Sequence, residues 1–235
     1  MEEKKKIIKN AENFRIAYNA AIRMFVRTHD QELLEDLENI YSRYVKYFDL
    51  RTISVALRDL REAIGVGKFA CFDPIDPVKD KELYDRILPF AASMLQFQMH
   101  LEKEAHTSRQ WAITESVLPP EAAKRRDPKF LYQDFPIPSE EKDVVLERGD
   151  DHTLDVLAWN ITEYSCGRHT YMPGVATEFV LNNRKQLSSE VMVKILDYLE
   201  KIPKYDDAAE AEACDDYMQN LRWSLEKYQK KQNIV

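Results

Sequence analysis

Along most of the chain, apolar residues return close to the 3.6-residue period, which predicts helices. In residues 6–28 the inward set is Ile7, Ala11, Phe14, Tyr18, Ala21, Met24 and Phe25. Asp30 is placed to cap a second helix carrying Leu33, Leu37, Ile40, Tyr41, Tyr44 and Phe48 on its inner face. A third helix, over 52–64, presents Ile53, Ala56, Leu57 and Leu60, and Gly65 stands where a left-handed cap belongs. Three amphipathic helices with short joints predict a bundle. Val66, Phe69, Cys71 and Phe72 then read as a short extended piece, with turns at Asp73-Pro74 and Asp76-Pro77. The next helix, over about 79–107, turns Leu83, Ile87, Phe90, Met94, Phe97 and Leu101 inward, and Pro89 predicts a kink or a break in it.

The period is lost in residues 115–149. That stretch holds Pro119, Pro120, Pro128, Pro136 and Pro138, the basic run Lys124-Arg125-Arg126, and Gly149. It reads as irregular, with Phe130, Tyr132 and Phe135 holding it against a surface. Helical patterning returns beyond it. Asp151 caps a helix over 152–166 with a stripe of Leu154, Leu157, Ala158 and Ile161. Val156 and Trp159 lie off that stripe, so this helix should touch neighbours on two sides. A short helix over 174–183 follows. Ser188 or Ser189 caps the next, with Met192, Ile195, Leu196 and Leu199 inward and Pro203 as its stop. The last, over 206–230, uses Met218, Leu221, Leu225 and Tyr228. The expected fold is all-α: an N-terminal helical bundle (1–114), an irregular Pro-containing segment (115–149) and a C-terminal helical module (150–235).

Composition narrows the function classes. The 235 residues contain only 5 glycines, too few for a Gly-rich nucleotide-binding architecture. The net charge of −7 sets the molecule as a whole against direct duplex binding. Three well-separated cysteines, Cys71, Cys166 and Cys214, make no disulfide framework. The N-terminal MEEKKKIIKN lacks the apolar run of a signal peptide, and no apolar stretch approaches the ~20 residues of a membrane span. A cytoplasmic protein without membrane partners is the expectation.

The most distinctive string is Tyr164-Ser165-Cys166-Gly167-Arg168-His169-Thr170-Tyr171, which joins two predicted helices. Arg168, His169 and Tyr171 form a candidate anion-binding group, with the guanidinium as a two-pronged donor and the phenol as an orienting one. A simpler account makes Gly167 a helix cap, pairs Arg168 with a neighbouring carboxylate and packs Tyr171 beneath the loop. This run resembles the YxxGRxTY signature of small helical proteins common in bacteriophages and prophages. The resemblance spans residues 150–230, including the acidic-to-aromatic last helix. It implies an origin in a mobile element, with expression in the cytoplasm of a bacterial host, and supplies no reaction.

Other chemistry is thin. Asp150, Asp151, His152 and Asp155 gather hard ligands at a helix start, which suits either Mg²⁺ or Mn²⁺ or simply the helix dipole. Cys166 and His169 have a C-x₂-H spacing without a second pair nearby, and His100 and His106 share a face poorly. Cys71 reads as a buried small residue, and the acidic surroundings of Cys214 would raise its pKa. Phosphate-loop, dinucleotide, nucleophile-elbow and zinc-protease signatures are absent.

Acidic residues cluster at Asp30, Glu32, Glu35, Asp36 and Glu38, and again at Asp206, Asp207, Glu210, Glu212, Asp215 and Asp216. Either run suits a solvated helix face. The second also suits a surface that competes with nucleic acid for a basic groove on another protein. The reading that results is a phage or prophage accessory protein acting by stoichiometric binding, with no cofactor. Its partner is a bacterial host protein or nucleoprotein complex, and inhibition of a defence complex such as a CRISPR effector fits that chemistry. The alternatives are a metal-dependent enzyme of phage nucleic-acid metabolism using the Asp150 cluster, or a homo-oligomeric assembly factor.

Overall fold

The structure, a computed structural model, describes residues 5–67, 72–115, 143–146, 151–166, 173–201 and 208–232. Among these, the elements in chain order are β1 (Lys6–Lys9), α1 (Ala11–Thr28), α2 (Gln31–Tyr44), a 3-10 turn (Val45–Tyr47), α3 (Leu50–Ala63) and α4 (Lys81–Glu115). They continue as β2 (Asp143–Leu146), α5 (Asp151–Ser165), α6 (Pro173–Asn183), α7 (Ser189–Lys201) and α8 (Ala208–Gln232). The fold is all-α with one small two-stranded sheet.

Spatially the chain divides into two compact units. One combines Met1–Val45 with Lys142–Val235; the other is Lys46–Glu141. This division is discontinuous in sequence, whereas the sequence-based one follows the chain. The cause is α1, whose principal neighbour is α5.

In the first unit α1 is buried nearly all round: Phe14, Tyr18, Ile22 and Phe25 on the large side, Ala17, Ala20 and Ala21 on the small. Such a helix belongs in the middle of a core. It packs on α5, α2 and both strands. The Phe14 ring meets Tyr44 edge-on at 5.8 Å, and the Tyr18 hydroxyl donates to the Leu37 carbonyl at 3.2 Å. Burial pushes the Tyr18 phenol well above its usual pKa. As expected, α5 touches neighbours on more than one side, packing on α6 and α7 as well as on α1.

The start of the first helix differs from expectation. Residues 6–9 form β1, antiparallel to β2 with Ile7 opposite Val145 and Ile8 opposite Val144. Asn10 breaks the run with φ 96°, and its side chain accepts from the Glu12 N–H at 2.9 Å to start α1. The β-branched pair Ile7-Ile8 favours a strand once a partner is supplied. That partner, β2, lies inside the stretch read as irregular, and the rest of 115–142 lies outside the described residues. Gln186 closes the free edge of β1: its side-chain amide donates to the Ile7 carbonyl at 2.8 Å and accepts from the Ile7 N–H at 3.2 Å.

The caps follow the predicted chemistry. Asp30 accepts from the Glu32 and Leu33 N–H groups, and Ser188 from Val191. Leu34, one residue on from the predicted Leu33, is the buried member at the start of α2. His29 ends α1 in the left-handed region at φ 55°.

In the second unit α3 packs on α4. The end of α3 is a Schellman arrangement: Gly65 N–H bonds the Glu62 carbonyl and Val66 N–H the Arg61 carbonyl, with Gly65 at φ 74°. A side chain at Gly67 would collide with the Glu62 carboxylate, 2.2 Å from its Cβ position. Phe69 and Cys71 lie outside the described residues. Helix α4 runs through Pro89 and continues to Glu115, so of the expected kink or break the break does not occur. Leu83, Ile87, Phe90 and Met94 are buried, while Phe97 and Leu101 are only half-buried.

Candidate binding surface

Helix α8 packs on α6 and α7 in the first unit. Leu221 and Ser224 are buried and Met218 and Leu225 half-buried, which fixes the inward side. On the opposite side, Glu212, Asp216, Gln219 and Trp223 follow one another at intervals of four, three and four, so one solvent face carries them all. Glu212, Asp215 and Asp216 are exposed, as the sequence predicts. Asp206 and Asp207 lie outside the described residues, as does the side chain of Glu210.

The residue that sequence reasoning missed is Trp223. Its side chain is 53% exposed, and Lys227 Nζ stands 3.9 Å from the indole centroid, a cation–π contact. The signal was present: Trp223 stands off the Met218, Leu221 and Leu225 stripe and in register with Glu212 and Asp216. Arg222 pairs with Glu200 of α7, holding α8 at this point. The surface therefore offers carboxylates grouped towards the N-terminal part of α8, with a large amphipathic ring two turns further on. Tryptophan is a residue type on which binding energy concentrates when a partner desolvates it.

Arg168, His169 and Tyr171 lie outside the described residues. The ground from which their loop departs is described. At the end of α5, Tyr164 accepts from Arg23 Nη1 of α1 at 2.6 Å, and the Arg23 guanidinium carbon is 5.5 Å from the Tyr164 ring centroid. Lys194 of α7 stands 4.3 Å from the Trp159 ring, which meets Tyr198 edge-on at 5.2 Å. The Tyr198 hydroxyl also reaches the Glu163 carbonyl at 3.4 Å. Burial raises the Glu163 carboxyl pKa; the charges of Arg27 and Lys194 act the other way. Cations gathered at a helix C-terminus complement its dipole, so this cluster anchors α5 to α1 and α7.

The candidate metal residues are engaged locally. His152 Nε2 lies 3.3 Å from Asp36 Oδ2 of α2, and Asp155 accepts from the Ser188 N–H at 3.0 Å. Burial raises the Asp36 pKa, and His152 partly offsets this. Among the described residues no group of three His, Cys, Asp or Glu side chains is placed to hold a metal ion. Asp150 lies outside them, as does the side chain of Asp151. Cys166 is buried at the end of α5, and the side chain of Cys214 is not among those described. Among the described residues no helix is long and apolar enough to cross a membrane.

No protein-family model, curated protein or solved structure matches the chain.

Proposed function

We propose that this chain is a phage or prophage accessory protein that acts by stoichiometric binding through the exposed face of α8. Its target is a bacterial nucleoprotein complex, a defence effector of the CRISPR kind, whose basic nucleic-acid groove the acidic residues occupy. The observation that carries the reading is Trp223, exposed in line with Glu212 and Asp216. Carboxylates steer the approach to a basic groove, and a buried indole slows departure. The YxxGRxTY resemblance supports the mobile-element origin.

The test is capture from a bacterial lysate with wild-type bait, Trp223→Ala bait, and bait carrying Glu212→Gln, Asp215→Asn and Asp216→Asn. The wild type should retain a nucleic-acid-binding complex and displace its nucleic acid, with steep loss at high salt. Trp223→Ala should raise the dissociation rate, and the neutralised variant should slow association. A folded neutralised variant that captures the same partner with the same salt dependence rejects this face as the interface.

A further inference from the structure

We draw no further inference here: the strongest candidate, the exposed apolar stripe of Leu88, Ala92, Leu95 and Met99 along helix α4, carries nothing because nothing in the structure shows what covers it.

Discussion

Helices α1 and α4 are both rich in apolar residues, yet they spend them differently. In α1 the apolar positions wrap nearly the whole circumference and all but the half-buried Ile16 are covered, with Ala17, Ala20 and Ala21 letting neighbours come close. In α4 they form separate stripes, one covered by the chain itself and one at the surface. The first pattern describes the centre of a core. The second describes a helix with one side committed to its own fold and another available. An isolated exposed leucine is unremarkable in any protein; Leu88, Leu95 and Met99 stand out because they recur in register.

The sharpest way to break this comparison is truncation on each helix. Phe25→Ala in α1 should cost about 3–5 kcal/mol in denaturant unfolding, because a fully buried ring leaves a cavity. Leu95→Ala in α4 should cost under about 0.5 kcal/mol. Equal costs would show that α4 is as enclosed as α1. Next in size is Pro89→Ala. Helix α4 passes through a residue that cannot donate to the Asp85 carbonyl, so restoring the N–H should raise stability by up to about 3 kcal/mol and increase Tm. An unchanged Tm would mean that the helix has already relaxed around the ring.

Gln186→Ala addresses the strand that leads into α1. Losing both bonds to Ile7 should cost about 1–3 kcal/mol, and amide exchange at Ile7 should accelerate ahead of exchange in α1. Exchange that rises equally in both would make the strand and helix one cooperative piece. The smallest effect belongs to Glu163, which stands beside α1 and has a raised pKa. The folded state then holds its proton more tightly than the unfolded chain does. The stabilisation is fully present below the ordinary carboxylate value and is lost as pH rises through the folded one. Glu163→Gln should therefore gain on the wild type as pH increases from about 4 to about 7. A constant difference across that range would show that the group titrates normally.

Most helices were legible from periodicity because their amphipathic contrast is strong: Asp30 and Ser188 cap where expected, and Leu154, Leu157, Ala158 and Ile161 form the buried stripe of α5. Strand β1 was not, because Ile7 and Ala11 also satisfy a helical period, and the strand's partner stands more than a hundred residues away at Val144 and Val145. The break allowed for at Pro89 does not occur for a related reason: a local breaker is overridden when Ile87, Phe90 and Met94 are held by tertiary burial. At the candidate surface, the exposure of Glu212, Asp215 and Asp216 could be read from charge alone. Trp223 was harder to read: it stands off the Met218, Leu221 and Leu225 stripe, yet its bulk and apolarity argue for burial until the packing of Leu221 and Ser224 fixes the rotation of α8.

The pairing of α1 with α5 also sets a timetable. As the chain leaves the ribosome, α1 emerges before α5, which follows only after about 120 intervening residues. At typical synthesis rates of ~5–20 residues per second, that delay is on the order of ten seconds. Throughout it, α1 lacks its principal neighbour, while α3 and α4 can already assemble within their own stretch of chain. The nascent chain thus carries α1, an apolar helix, without its principal neighbour while the whole intervening stretch is made. Chaperones that hold apolar helices would meet this chain early and would release it only once α5 has been made.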